Sequence, residues 1–165
     1  MQTITKEYKV YEFKELSREA KDKAIEEWYE HEDYPFLEEN LNELLIEKLK
    51  EHEATITDPK VFYSLSYSQG DGAMFEGYVL WRGNGFSVRQ AGHYYHYNSK
   101  TIECDDDNLP DNGIETFNEQ VYKPVCHALT KAGYAEIEYR MNDDEFQEHC
   151  EANDYQFLEN GKMFN

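Results

Sequence analysis

Apolar residues recur every three to four positions in two stretches near the start of the chain, which is the spacing of one face of an α-helix. In the first stretch Ser17 suits the N-cap, and the apolar positions that follow are Ala20, Ala24, Ile25 and Trp28. In the second stretch they are Leu37, Leu41, Leu44, Leu45 and Leu49. Pro35 separates the two, because the residue before a proline is disfavoured in the helical region. The spacing predicts two N-terminal helices, the second ending near Glu53, ahead of Asp58-Pro59.

Apolar and polar residues alternate in the middle of the chain, which is typical of half-buried β-strands. Turns containing glycine, at Ser68–Gly72 and Gly83–Gly85, separate the alternating runs. The strands predicted in this region are Val61–Tyr67, Ala73–Trp81, Phe86–Gln90 and His93–Tyr97. A first strand is predicted upstream at Tyr8–Phe13, which is rich in aromatic and β-branched residues. Because the connections are short, we expect the middle strands to form an antiparallel meander.

Helical spacing returns after the polar loop Cys104–Gly113. The apolar positions there are Ile114, Phe117, Val121, Val125 and Leu129. Pro124 lies among them and predicts a kink or a break. Asn142, with Glu145 three residues later, resembles a capping box at the start of a further helix.

The chain closes with Asn160-Gly161, a strong hairpin signal. These elements predict a single α+β domain over residues 1–165: an antiparallel β-sheet with N-terminal helices and a C-terminal helical segment, ending in a short hairpin. The aromatic fraction of 15% supports a folded chain, because disordered acidic chains are poor in aromatic residues.

The net charge of the chain limits the kinds of molecule that it is expected to bind. The chain has 35 Asp and Glu residues against 16 Lys and Arg residues, which gives a formal net charge of −19 at pH 7. Proteins bind nucleic acids and anionic membranes through Lys and Arg, so this charge argues against direct contact with either. A basic protein is the partner that it favours.

Cysteine use and the absence of long apolar runs indicate the compartment. Cys104, Cys126 and Cys150 are an odd number without CxxC spacing, which favours reduced thiols in a cytosol. No stretch approaches the roughly 20 apolar residues of a membrane span, and the first residues lack the apolar run of a signal peptide. We therefore expect a cytoplasmic protein.

Patterns that carry catalysis or metal binding are weak in this sequence. No GxSxG nucleophile elbow is present, and the six histidines are scattered. His93 and His96 would point to opposite faces of the predicted strand, so they could not share a metal ion there. Gly70-Asp71-Gly72 leads into a strand, whereas a dinucleotide-binding loop leads into a helix. We predict a non-enzymatic protein with no cofactor and no metal site.

Acidic residues form two lines at helical spacing. Glu39, Glu43, Glu47 and Glu51 are four apart on the second predicted helix and share one face. Asp22, Glu26 and Glu30 form a similar line on the first, with Glu27, Glu32 and Asp33 close by. Residues four apart are about 6 Å apart along a helix, which approximates every second phosphate of a DNA strand, where charges come about every 3.4 Å. One hypothesis is that these faces imitate a polyanion; the alternative is a charged helix face that keeps the protein soluble.

The run from His93 to Tyr97 permits a different function. Tyr and His rings stack on nucleobases or line small-ligand pockets, so a small-ligand or nucleotide-binding module is an alternative function. The competing interpretation is that alternate rings fill the core.

Three stretches resemble a family of small phage and prophage proteins. Glu15-Leu16-Ser17, followed by Glu19-Ala20-Lys21 and Trp28-Tyr29, is similar to the family's opening. Ser66–Gly77 (SYSQGDGAMFEG) resembles its SQGDGA turn, and the segment from Asp144 to Lys162 resembles its C-terminal pattern. Members are often labelled antitoxin-like. The resemblance implies a phage or mobile-element setting and brings no catalytic residues.

The SQGDGA turn is more polar than a hairpin requires, so Ser68, Gln69 and Asp71 are predicted to form a recognition tip. The function predicted from these features is a non-enzymatic inhibitor of the anti-CRISPR, antirestriction or antitoxin-like kind. It would bind a basic host protein, a nucleic-acid-binding defence protein or a toxin, and occlude its nucleic-acid-binding surface. A structural accessory protein is a further alternative.

Overall fold

The computed structural model describes residues 6–31 and 36–164 and has an α+β fold. Its helical elements are a 3-10 turn at Phe13–Glu15, α1 (Arg18–His31), α2 (Leu37–Glu51), α3 (Gly113–Phe117), α4 (Lys123–Arg140) and α5 (Asp143–Ala152). Its strands are β1 (Ala54–Ser64), β2 (Gly72–Trp81), β3 (Asn84–Gln90) and β4 (Lys100–Cys104). The predicted fold class is confirmed: the chain combines a four-stranded antiparallel sheet with N-terminal and C-terminal helices.

The first N-terminal helix has the cap that the sequence predicts, and the second has its predicted leucine stripe. The Ala20 N–H donates to the Ser17 hydroxyl at 3.3 Å, which caps α1. On α2 the buried residues are Leu37, Leu41, Leu45 and Leu49, and α2 packs against β1. Leu44, also predicted in this stripe, is only half-buried. The break predicted at Pro35 lies outside the described residues.

The four strands form one sheet in the order β1-β2-β3-β4, with every neighbouring pair antiparallel. Arg82 and Gly83 connect β2 to β3, and both have positive φ, 50° and 78°. Positive φ at both central residues is the mark of a type I′ turn, whose twist matches that of the strands it joins. The meander predicted from the short connections is therefore confirmed, with β1 and β4 at its edges.

The first strand of the sheet is longer than its sequence pattern predicts. It begins at Ala54, separated from α2 by two residues, and includes Asp58-Pro59, which we expected to lie outside a strand. It ends at Ser64, three residues before the predicted end at Tyr67. The pairing with β2 shifts register between Thr57 and Lys60, and Asp58 has a φ of 52°. A bulge on an edge strand tolerates a proline, because the missing N–H leaves no ladder bond unmade. This bulge explains why the strand continues through the proline.

Two predicted strands are wrong. In Tyr8–Phe13 only Tyr11 forms a bridge, to Phe157, before the 3-10 turn begins. His93–Tyr97 is a loop, and the fourth strand lies just beyond it at Lys100–Cys104. Aromatic side chains favour strands because they fit half-buried surfaces, and such surfaces also exist outside a ladder. The rings of the loop pack individually on β1 and α4: Tyr95 on Phe62 and Tyr97 on His127.

The C-terminal helical segment agrees with the pattern and explains the effect of its proline. Between α3 and α4 the chain forms a π-helical turn at Asn118–Tyr122, immediately before Lys123-Pro124. Proline lacks an N–H and its ring displaces the preceding turn, so a wider turn accommodates it without ending the helix. The Asn142 side chain accepts a hydrogen bond from the Asp144 N–H at 2.9 Å and caps α5.

The hairpin predicted at the end of the chain is present in a minimal form. Phe157 forms an antiparallel bridge with Met163 across Asn160-Gly161. None of the helices in the described ranges is long and apolar enough to cross a membrane.

The described residues divide into two compact units, one from residues 1–34 and 137–165 (unit 1) and one from residues 35–136 (unit 2). Unit 1 packs α1, α5 and the terminal hairpin around the rings of Phe13, Phe146 and Phe157. Unit 2 contains α2, the sheet and most of α4, with Phe75 and Tyr122 among its fully buried residues. The single domain expected over residues 1–165 stays a prediction.

Candidate functional site

The acidic face of α2 is the most uniform charged surface predicted from the sequence. Four glutamates occupy the side of the helix away from its buried leucines, and all four are exposed: Glu39, Glu43, Glu47 and Glu51. Because α2 is a regular helix of 15 residues, consecutive members follow each other at about 6 Å along its axis. The structure therefore presents the predicted line of carboxylates to solvent.

Most of this line is not neutralised by neighbouring bases. Lys48 forms a salt bridge with Glu51, with 2.7 Å between Nζ and Oε1. Within the described part of the chain, Glu39, Glu43 and Glu47 form no salt bridge. Like charges four apart weaken a helix by about 0.2–0.5 kcal/mol per pair, so this arrangement is not one that helix stability favours.

Two of these glutamates border a groove between α2 and α4. The groove has a volume of about 310 Å³ and is lined by Leu37, Asn40, Leu41, Glu43, Leu44, Glu47, Ala132 and Glu136. Leucine side chains thus lie beside carboxylates from both helices. Glu136 is missing from the sequence prediction, because it follows Glu47 by almost 90 residues and no local pattern connects the two. Glu39 and Glu51 lie outside the groove.

The acidic line on α1, which belongs to unit 1, is more nearly balanced by bases. Asp22, Glu26 and Glu30 are exposed as predicted, but Arg18 forms a salt bridge with Asp22 at 2.7 Å. Lys23 and Lys162 line one open cavity with Glu26, Glu27 and Glu30. Glu32 and Asp33, expected to extend this line, lie outside the described residues. The α1 line is therefore a weaker source of negative potential than the α2 line.

The carboxylate of Asp71 is the centre of the SQGDGA turn. It accepts hydrogen bonds from the N–H groups of Ser66 and Ser68, at 2.6 and 2.9 Å, and from the Tyr134 hydroxyl at 2.9 Å. The hydroxyls of Ser64 and Ser68 donate to its other oxygen, at 3.0 and 2.9 Å. Burial alone would raise the pKa of Asp71, but the bonds from Ser68, Tyr134 and Ser66 outweigh it and hold this pKa well below its usual range.

These hydrogen bonds reduce the number of polar groups in the turn that are available to a partner. The polar groups of Ser68 and Asp71 bond within the turn, and Tyr134 on α4 connects it to the helix. Of the predicted tip residues, Ser68 and Gln69 are exposed and Asp71 is half-buried. Gly70 has a φ of 87°, and the ring of Tyr94 lies against its α-carbon, where a β-carbon would be 3.1 Å from the ring. The positive φ and the close approach of the Tyr94 ring thus explain why residue 70 is a glycine.

A group of tyrosine and histidine rings surrounds the turn. Tyr94 and Tyr67 are 62% and 58% exposed, and the ring of Tyr67 packs on that of Tyr134 with 4.6 Å between centroids. His96 is less accessible, and burial lowers its pKa, as do the nearby His127 and Lys100, which favours the neutral ring.

Metal binding requires a cluster of ligating side chains, and nucleophilic catalysis requires an activated nucleophile such as a thiolate. Within the described ranges, no three His, Cys, Asp or Glu side chains are placed to hold a metal ion. Cys126 is buried, and burial raises the pKa of its thiol to about 12. A thiol with that pKa remains protonated at pH 7 and is a poor nucleophile.

The fold and the α2 surface define a class: an α+β protein with an acidic, grooved helix face. Comparison of the chain with protein-family models, with curated proteins and with solved structures finds no match.

Proposed function

We propose that this protein is a non-enzymatic inhibitor that binds a basic, nucleic-acid-binding protein through the acidic face of α2. The bound helix would lie where the partner holds nucleic acid, and so occlude that surface. Attraction between the net charge of −19 and a basic groove would speed association and make it sensitive to salt.

The observation that carries this proposal is the combination of exposed carboxylates on α2 with a partly apolar groove that the same helix forms with α4. A face that serves solubility alone needs charge but no apolar surface. Here Glu43 and Glu47 flank a groove that includes the half-buried Leu44. Interfaces between proteins commonly combine an apolar centre with a polar rim, and this groove provides both.

The resemblance of the Ser66–Gly77 stretch to phage and prophage proteins suggests the setting of the inhibitor. In that setting the basic partner is a host defence nuclease, such as a CRISPR or restriction enzyme, or a nucleic-acid-binding toxin. These partners share a basic groove that tracks a phosphate backbone, which is the surface that a line of carboxylates would fit.

Competition for nucleic acid tests the proposal. Purified CRISPR effector nucleases, restriction enzymes and toxin nucleases are loaded with fluorescent nucleic acid, and its release by this protein is followed by anisotropy. We expect release from at least one of them, with an affinity that falls steeply between about 50 and 200 mM salt. The variant E39Q/E43Q/E47Q/E51Q should bind at least about tenfold more weakly, since it loses four interfacial charges.

A matched variant separates the α2 face from net charge. E103Q/D105N/D107N/D111N also removes four negative charges, and all four of these residues are exposed on β4 and the loop after it. It should retain most of the affinity. Equal losses for the two variants would show that only net charge matters, and the α2 face would then be the wrong site.

A second candidate function is binding of a nucleotide or another flat small ligand, and the exposed rings of Tyr67 and Tyr94 favour it. Both rings lie beside the Ser68–Gly72 turn, which Tyr134 anchors to α4. Bases stack on exposed tyrosines at about 1–3 kcal/mol each. A thermal-shift screen with nucleotides should show stabilisation that Y94A abolishes if this function is correct.

A further inference from the structure

Unit 1 contains a cavity that the proposed inhibitor function does not use. It has a volume of about 180 Å³ and lies between α1 and the terminal hairpin, lined by Ala24, Glu27, Trp28, Phe157, Gly161 and Met163. Apolar cavities of about 150 Å³ accommodate ligands the size of benzene. This one is therefore large enough for a chain of four carbon atoms.

Neighbouring contacts hold the walls of the cavity in place. Gly161 has a φ of 86°, and a β-carbon there would collide with the Ala20 carbonyl oxygen, so the hairpin backbone lies directly on α1. The ring of Trp28 packs against His149 and Tyr155, with centroids 4.9 and 5.7 Å away. A cavity with such walls exists before any ligand arrives, which lowers the entropic cost of binding.

Charge identifies the kind of ligand. Glu27 is the ionisable residue in the lining, and it forms no salt bridge with any residue in the described ranges. It also lines the adjoining open cavity, where Glu26 and Glu30 lie with Lys23 and Lys162. Trp28 and Phe157 add aromatic rings to the wall, and such rings attract cations held over their faces. A carboxylate beside an aromatic, apolar cavity suits a cation carried on an apolar stem.

We propose that this cavity binds the side chain of a lysine or arginine from a basic peptide segment. The methylene stem would occupy the space lined by Ala24, Phe157 and Met163, and the cationic head would face Glu27. The inference draws on the proposed function only for the source of the cation, a basic protein. The site itself is separate from the α2 face.

Small probes test the site without the partner. n-Butylammonium and n-butylguanidinium reproduce the two cationic side chains, and n-butanol is the neutral control of similar length. The chain has two tryptophans, Trp28 in the cavity lining and Trp81 in the core of unit 2. In one NMR spectrum, the indole N–H signal of Trp28 therefore reports on the cavity and that of Trp81 is the reference. We expect the cationic probes to shift the Trp28 signal saturably while the Trp81 signal stays in place.

A charge-matched pair of variants completes the test. E27Q should weaken n-butylammonium about fivefold or more, which corresponds to about 1 kcal/mol for one ion pair beside an aromatic ring. E19Q, which changes an exposed glutamate of the same helix that does not line the cavity, should bind as wild type does. Equal thermal unfolding of E27Q and E19Q confirms that both are folded.

Three results would overturn the inference: no selective shift of Trp28, equal affinity for n-butanol, or unchanged affinity in E27Q. The variant E39Q/E43Q/E47Q/E51Q should bind the probes normally. Failure of the α2 proposal and failure of this one are thus distinguishable.

Discussion

The acidic face of α2 and the Ser68–Gly72 turn are both polar surfaces that the sequence suggests for partner binding, yet their chemistry differs. On α2, Glu39, Glu43 and Glu47 extend into solvent without a salt bridge to any described residue. In the turn, both oxygens of Asp71 accept hydrogen bonds from within unit 2. A carboxylate whose oxygens already accept hydrogen bonds within the protein stabilises the fold. A carboxylate whose oxygens bind only water is available to a partner.

The largest effect that separates the two surfaces is expected at Asp71. Asp71→Asn removes the negative charge and places an amide N–H group opposite N–H and O–H groups that now donate to the carboxylate. The free energy of unfolding should therefore fall by about 2 kcal/mol. Urea unfolding measures this loss. Asp105→Asn, the same change at an exposed aspartate, and Gln69→Ala at the tip should each stay within about 0.5 kcal/mol of wild type.

A wild-type stability in Asp71→Asn would contradict the structural role of the turn. It would return Asp71 to the set of residues available for recognition, beside Gln69. The double variant Q69A/D71N, tested in the nucleic-acid release assay, would then decide whether the turn contacts the partner.

Much of the fold is predictable from the sequence where the signal is local. The caps at Ser17 and Asn142 and the leucine stripe of α2 involve residues within a few positions of each other, so spacing alone identifies them. The strands predicted at Tyr8–Phe13 and His93–Tyr97 are wrong because aromatic content reports fit to a surface and not the presence of a pairing partner.

The candidate site divides in the same way. The exposure of Glu43 and Glu47 follows from helical spacing, since the buried leucines orient the opposite face. Contacts between distant segments have no such signal. Tyr134 is 63 residues from the Asp71 that it binds, and Glu136 joins the α2 groove from another helix. Both contacts can be identified only from the folded structure, because no local sequence pattern connects the residues involved.

A second test follows the pH dependence of the same carboxylate. Because the folded-state pKa of Asp71 is lowered, its contribution to stability is complete above the unfolded-state value of about 3.9 and is lost as pH falls below it. The stability difference between wild type and Asp71→Asn should therefore be constant from pH 7 to about 5 and shrink below about 4. Urea midpoints across this range measure it.

Carboxyl carbon shifts provide the control for that test. In an NMR titration from pH 7 down to about pH 3, the Asp71 signal should stay in its ionised position, because the pKa of this carboxyl is held below its usual range. A midpoint for Asp71 at the unfolded-state value of about 3.9 would contradict the hydrogen-bonded arrangement of the turn.

The smallest expected effect concerns the α2 face and has the opposite sign. The variant E39Q/E43Q/E47Q/E51Q removes three like-charge pairs four residues apart, each of which weakens a helix by about 0.2–0.5 kcal/mol. It should therefore be more stable than wild type by about 0.6–1.5 kcal/mol at low salt, less the small contribution of the Lys48–Glu51 pair. Added salt should reduce the gain, because it screens exposed charges. Urea unfolding at about 20 and 500 mM salt measures both terms, with E103Q/D105N/D107N/D111N as the control for net charge.

The outcome decides what the glutamates of α2 do. A gain in stability together with a loss of partner binding would mean that they destabilise the helix and serve binding. A loss of stability would mean that they support the fold, and α2 would then belong with Asp71 on the structural side of the comparison.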